Sequence, residues 1–401
     1  MKDVVIVSAV RTPIGSIGGT LKKVLPEELL RIVFEAAIER AGIGKSDIDC
    51  VVAGHVKQTT DAPNIARVAS LAARIPEEVP AYTVHRQCAS GMQAILNGAM
   101  EIQCGYADAV LVGGTESMST APFYVRNTRF RTGSGTVEFI DPNTESQPKS
   151  QPESIYGKFN MIQTADKVAK VLDITREECD AFALSSQKKA VAAIDEGRFD
   201  DEITPVVIPQ RKGDPIIFDK DEYPKRDTNE AKMAKLKPIF EGGVTTAGNA
   251  SGRNDGACAL ILMSAEKAEI LGIKPLAKFV GAAAAGVDPT VMGLGPVAAT
   301  RKLQKECLDK KGIKLEDFGL IELNEAFAAQ SLGCIKELGL DVNKVNVNGG
   351  AIALGHPLGD SGARIVTTLI YEMKRRNEKY GLATICIAGG LGMAMAIENI
   401  Q

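Results

Sequence analysis

Asp3-Val4-Val5-Ile6-Val7-Ser8-Ala9-Val10 forms an apolar run near the start of the chain, and two later segments decide how it is read: Pro26 to Ala41, and Ile48-Asp49-Cys50-Val51-Val52-Ala53. Short runs rich in Val and Ile read as buried strands. Between them, Leu29, Leu30, Val33 and Ala37 recur at helical spacing. Pro26 suits a first helical turn, where its missing N–H would be unpaired anyway, and Gly42 is a C-terminal stop. The opening therefore predicts a βαβ unit with a parallel sheet, and the fold class is α/β.

The pattern occurs twice. In the first half Asp47-Ile48-Asp49-Cys50-Val51-Val52 leads to Cys88-Ala89-Ser90-Gly91, a helical stretch, and then Tyr106-Ala107-Asp108-Ala109-Val110-Leu111-Val112-Gly113-Gly114. In the second half Glu316-Asp317-Phe318-Gly319-Leu320-Ile321 leads to Gly359-Asp360-Ser361-Gly362, another helical stretch, and Tyr380-Gly381-Leu382-Ala383-Thr384-Ile385-Cys386 ending in glycines. Each half sets a Ser-Gly pair at the mouth of a helix, the mark of an internal duplication. From about 120 to 250 the composition shifts to Arg, Lys, Asp, Pro and Gln, with Thr175 and Glu178 in a capping-box pattern before a run that ends at Gly197. This segment reads as a cover over the duplicated core. The expected units are residues 1–119 with 251–272, the insertion 120–250, and 273–401.

A chain of 401 residues exceeds one simple core. Its formal net charge of −3 leaves no footprint for nucleic acid or an anionic membrane. No apolar run reaches the length of a membrane span, and Val4-Val5-Ile6-Val7 is too short for a signal peptide. The eight cysteines include no CxxC pair and no His partners at metal-ligand spacing, so reduced cytoplasmic thiols and no metal are expected. Cys50, Cys104, Cys258, Cys307 and Cys334 read as small buried hydrophobes, and His55 and His85 as structural.

Cys88 differs from these, because in Tyr82-Thr83-Val84-His85-Arg86-Gln87-Cys88-Ala89-Ser90-Gly91 an extended run meets a helix start. Unpaired N–H groups at a helix N-terminus favour a thiolate and would lower the pKa of Cys88. The glycine-dense Asn348-to-Gly359 loop holds His356, which internal symmetry would set across from Cys88. Asn324-Glu325-Ala326-Phe327-Ala328 and the Gly-rich loop beginning at Cys386 each follow an apolar strand, the place where α/β proteins put their sites.

Separated motifs carry a resemblance over essentially the whole chain: Arg86 to Gly91, Glu116-Ser117-Met118-Ser119, Gly248-Asn249-Ala250-Ser251-Gly252, the Asn324-to-Ala328 patch, and the Gly355-His356-Pro357 and Cys386 loops. In this order they resemble the thiolase family. The resemblance implies a duplicated βαβαβαββ core in five layers, α-β-α-β-α, with an inserted loop domain that binds coenzyme A. It implies a reversible Claisen condensation and thiolysis, two acetyl-CoA to acetoacetyl-CoA and CoA, through an acyl-cysteine on Cys88, with His356 removing the thiol proton. Cys386 would be the second catalytic thiol. His356 and a water on Asn324 would form one oxyanion hole, and the N–H groups of Cys88 and Ala388 another. Ser251 and Ala247 would lie near the pantetheine, Met161 and Phe327 along the tunnel, Met292 at the acyl pocket, and Lys225 and Arg226 near the nucleotide phosphates. No tightly bound cofactor is implied, only CoA as substrate and product; the assembly would be a homo-oligomer, dimer or tetramer.

Four residues depart from the family pattern. Asn160 stands where His is usual before the Met, weakening a thioester contact. Ala388 replaces a glycine and restricts the backbone that aims its N–H. His85 replaces Asn, and Asp360 replaces a small residue, bringing a charge near His356 that would favour the imidazolium. Two other readings accompany the acetyl-CoA one: a degradative 3-ketoacyl-CoA thiolase acting on longer chains, and a non-catalytic acyl-CoA or lipid-binding protein. A ketosynthase or hydroxymethylglutaryl-CoA synthase is disfavoured, because those enzymes lack a second cysteine base.

Overall fold

The structure is a computed structural model and describes residues 2–130 and 136–400. Its spine is a ten-stranded mixed sheet. The strands used below are β1 (Val4–Arg11), β2 (Cys50–Gly54), β3 (Ala81–Val84), β4 (Ala109–Ser117), β5 (Asn254–Ser264), β6 (Ala277–Gly286), β7 (Phe318–Leu323), β8 (Tyr380–Ile387) and β9 (Leu391–Asn399). The helices are α1 (Pro26–Ala41), α2 (Ile65–Ala72), α3 (Ser90–Gln103), α4 (Met161–Val171), α5 (Arg176–Asp195), α6 (Gly295–Leu303), α7 (Ala328–Leu338) and α8 (Leu358–Arg376).

The order β3-β2-β4-β5-β1 in one half is matched by β7-β8-β9-β6 in the other, with Ile321 bridging to Val345 where β3 has its counterpart. The two half-sheets join through the pairing of β1 with β6, Val5↔Lys278 and Ile6↔Ala277. This bears out the duplication. The opening βαβ reading needs one correction: β1 and β2 are not neighbours, since β4 and β5 run between them. β5 runs antiparallel to both β1 and β4, and all eleven of its residues are buried. A strand apolar on both faces belongs in the middle of a covered sheet, so the chain returning from the insertion takes the central place.

Three separate cores define the five layers. α1 and α2 cover the outer face of the first half-sheet, α6 and α7 the outer face of the second, and α3 with α8 fill the space between them. The two central helices meet at their N-termini. A Cβ on Gly91 would fall 2.9 Å from the carbonyl oxygen of Gly359, and one on Gly362 would fall 2.6 Å from the backbone nitrogen of Met92. The paired Ser-Gly sequences thus follow from two backbones in contact about the pseudo-dyad.

In the inserted segment α5 starts with the expected capping box, Thr175 and Glu178 each bonding the other's backbone N–H. α4 and α5 pack on α7 through Ala169, Cys179, Ala183, Ala328 and Ala329, which lays this segment over the second half.

Candidate active site

The end of β3 turns sharply into α3 through Gln87, whose φ of 45° is left-handed and costly for a residue with a Cβ. Ser90 holds the turn: its Oγ accepts from the Arg86 N–H at 2.8 Å and donates to the Gln87 carbonyl at 2.7 Å. Cys88 sits at this bend, before the first residue of α3. The helix-end reading of its acidity is corrected by its surroundings. Burial pushes the thiol up to about 11, outweighing the backbone N–H groups of Ala388 and of Cys88 itself, which pull it down. Cys88 is a neutral thiol at rest and needs a base.

His356 lies in the loop before α8. Its N–H donates to Asn254 Oδ1 at 2.9 Å, fixing the backbone. Its Nδ1 lies 2.7 Å from Ser361 Oγ, whose own proton goes to the Pro357 carbonyl at 2.8 Å. A hydroxyl has one proton, so Ser361 must accept from Nδ1–H. That tautomer leaves Nε2 bare, buried and without a protein partner. Burial, then the Arg364 charge, bring the imidazole down to about 4 against a smaller opposing pull from Glu116. The expected Asp360 effect is therefore not seen: burial raises the Asp360 carboxyl to about 7, and His356 is held neutral.

Cys386 is not in the loop after its strand but within β8, paired across the ladder with Gly392. The bend follows at Ala388 to Gly390. Gly389 and Gly390 take the positive φ values, 90° and 79°, and Ala388 does not, so alanine at 388 costs nothing. Burial, then the nearby sulfurs of Cys88 and Cys334, raise the Cys386 thiol well above its ordinary value. The Gly389 turn is covered by the inserted segment: a Cβ there would fall 2.8 Å from the Ser150 carbonyl oxygen.

These groups face one another. A chamber of about 310 Å³ is bordered by Cys88, His356, Cys386 and Ala388 together, and by Ser251, Ala247, Met161, Phe327 and Met292. Two thiols and an imidazole thus share a single cavity. Phe327 is anchored to the 250 loop by a bridge with Ala250, and the Ser251 N–H donates to the Ala326 carbonyl at 3.0 Å.

Residues 4–266 match the family described as Thiolase, N-terminal domain, and residues 273–399 match Thiolase, C-terminal domain. The chain belongs to the thiolase family. The acetyl-CoA acetyltransferase of Syntrophomonas wolfei is 50% identical, with 100% of each chain covered, and that of Pseudomonas aeruginosa is 48% identical over the same extent. The crystal structure of the Bacillus anthracis acetyl-CoA acetyltransferase superposes with a TM-score of 0.95 at 47% identity, covering 100% of this chain and 99% of that one. Human mitochondrial 3-ketoacyl-CoA thiolase in complex with CoA superposes at 0.93 with 41% identity, covering 100% and 98%.

In this thiolase the remaining expected residues divide. Asn324 is buried at the end of β7, and neither end of its amide bonds to a protein group. It does not border the chamber itself. Lys225 lines a neighbouring cleft that shares Ala247 and Tyr223 with the chamber, while Arg226 is exposed and paired through both nitrogens with Asp195. Asn160 caps α4: its Oδ1 accepts from Gln163 N–H at 3.1 Å and its own N–H donates back at 3.0 Å. His85 is exposed, and His55 is buried with Nε2 3.3 Å from Glu116 Oε1.

The roles of three residues escaped sequence reasoning. Ser361 fixes the His356 tautomer. Glu116 accepts N–H groups from Val56, Lys57 and Gly359 at 3.2, 3.0 and 3.0 Å, tying the loop after β2 to the start of α8. Burial works against its charge, but His55 and the Lys57 backbone outweigh burial and hold the carboxyl low. Lys57 borders the chamber. The serine left a signal as a hydroxyl one turn into the helix that follows the histidine, and Glu116 as the first residue of a motif that carries the resemblance; Lys57 left none. Of the cysteines expected in the core, Cys104 is exposed at the end of α3 and Cys307 only half-buried. No helix among the described residues is long and apolar enough to cross a membrane.

Proposed function

We propose that this thiolase is an acetyl-CoA C-acetyltransferase, joining two acetyl-CoA to acetoacetyl-CoA and CoA, and running the reverse thiolysis, through an acetyl group on Cys88. The observation that carries the reading is the shared chamber of Cys88, His356 and Cys386. The bare Nε2 of His356 takes the Cys88 proton as sulfur attacks the thioester carbonyl, and the oxyanion accepts from the Cys88 and Ala388 N–H groups. Cys386 protonates the departing CoA thiolate and becomes a thiolate itself. With His356 now an imidazolium, Cys386 removes a proton from C2 of the second acetyl-CoA. The enolate oxygen is held by His356 Nε2–H and by a water on Asn324, whose free amide supports that role. Enolate carbon attacks acetyl-Cys88, and the released Cys88 thiolate recovers its proton from His356, closing the balance.

Ser251, Ala247, Met161 and Phe327 line the pantetheine path and Met292 the acyl end. Lys225 and Arg226 meet the nucleotide end at the rim, and the segment 120–250 serves as the CoA-binding cover. CoA is substrate and product, with no tightly bound cofactor. A homo-oligomer is supported by β3, which ends the sheet with no strand beyond it among the described residues; cytoplasmic placement is supported by eight free thiols. A degradative role on longer chains is favoured by one observation, the likeness to human 3-ketoacyl-CoA thiolase.

The test is CoA-dependent cleavage of acetoacetyl-CoA beside a longer 3-ketoacyl-CoA, with iodoacetamide labelling. Cleavage with label on Cys88 is expected. Tight CoA binding without turnover of either substrate would favour a non-catalytic binder, and faster turnover of the longer chain would favour the degradative enzyme.

A further inference from the structure

The chamber has a polar wall that neither the acetyl group nor the acid–base chemistry uses. Lys57, 7% exposed, borders the same cavity as Cys88. Its Nζ donates to the Pro142 carbonyl at 2.8 Å and to Ser146 Oγ at 2.6 Å. Both acceptors are neutral, and an ammonium has three N–H donors, so one remains for a further acceptor. Asn143, 6% exposed, lies beside it on the same wall. Its Nδ2 donates to the Met118 carbonyl at 2.9 Å, while its Oδ1 is buried without a partner. Ser146, Gln147 and Ser150 continue this face.

A buried ammonium is costly unless an anion offsets it. Burial accordingly pulls the Lys57 ammonium below its ordinary value, with Glu116 and then Cys88 acting the other way. Glu116 accepts from three backbone N–H groups and lies 3.3 Å from His55 Nε2. A methyl-terminated acyl chain would lie against this cation and gain nothing from it, whereas a terminal oxyanion would supply the missing partner.

We propose that Lys57 is a specificity-determining residue that reads the far end of the acyl group, and that the enzyme takes 3-ketoacyl-CoA thioesters carrying a terminal carboxylate in preference to uncharged chains of the same length. This rests on the thiolase reaction assigned above. Arg253, the other cation bordering the chamber, is 42% exposed in its side chain and lies 4.0 Å from Asp141. It faces solvent and provides the comparison.

The experiment measures kcat/KM for thiolysis of six-carbon 3-ketoacyl-CoA substrates ending in carboxylate, methyl ester or methyl, with wild type, Lys57→Met, Lys57→Arg and Arg253→Gln. The readout is the carboxylate-to-methyl ratio within each preparation, so misfolded protein or a general loss of activity cancels. Wild type should prefer the carboxylate by at least about ten-fold, as a charge-assisted hydrogen bond implies. That preference should vanish in Lys57→Met and persist in Lys57→Arg and Arg253→Gln, with the ester behaving like the methyl chain. A wild-type ratio near one, or the same ratio in wild type and Lys57→Met, overturns the role of Lys57 and leaves the thiolase reaction standing. Loss of the preference in Arg253→Gln instead also overturns it. An absence of any thiolysis by wild type, acetoacetyl-CoA included, overturns both.

Discussion

The two halves of the core share a fold and bring different side chains to one chamber. In the first, β3 bends through a strained Gln87 into α3 and presents Cys88 at the corner. In the second, a loop bonded to Asn254 presents His356 before α8, and β8 presents Cys386 from within a hydrogen-bonded ladder. The strand ends differ as well: one residue before its end β4 carries Glu116, a carboxylate used as a tie between halves, where β8 carries the Cys386 thiol. Duplication brought two strand ends and two helix mouths to one place, and under the proposed reaction one half supplies the acyl acceptor and the other the proton carriers. Neither half makes a site alone.

Removing the acceptor separates the halves most severely. Cys88→Ala should lower acetoacetyl-CoA thiolysis by more than roughly 10⁴-fold, because no other group forms the acyl bond, and steady-state assay checks it. The His356 side is probed by pH. The group is neutral down to about 4, and acylation needs the bare Nε2, so the acylation rate should persist as pH falls through 6.5 and fail only toward the value of the buried imidazole. A stopped-flow profile breaking near 6.5 would contradict this.

Smaller effects sharpen the picture. Ser361→Ala frees the His356 ring and should cost on the order of ten-fold in kcat, the worth of one orienting hydrogen bond, while Ser361→Thr should restore it. Gly362→Ala drives a Cβ against the Met92 nitrogen and should cost about 1–3 kcal/mol of stability by overpacking, read by urea denaturation.

Much of this was legible in the chain. Val4 to Arg11, Pro26 to Ala41 and the Ser-Gly repeats declare themselves by periodicity and by turn residues, because local burial and helix ends act over a few positions. Strand adjacency does not: β5 comes from beyond the insertion, and nothing local says it will divide β1 from β2. The position of Cys386 inside a strand was hidden by the glycines after it. The acidity of Cys88 was misjudged because a helix end is visible in sequence while desolvation depends on everything packed around it. Lys57, flanked by Val56 and Gln58, looks like any surface lysine until the 142–146 segment folds over it.

The division of labour between the halves is tested most directly in Cys386→Ala supplied with isotopically labelled acetyl-CoA. Peptide mass spectrometry should find the acetyl group on Cys88, with acetoacetyl-CoA formation reduced by at least about 10²-fold, the lower range for a general base. Undiminished condensation, or label on a residue other than Cys88, would contradict it.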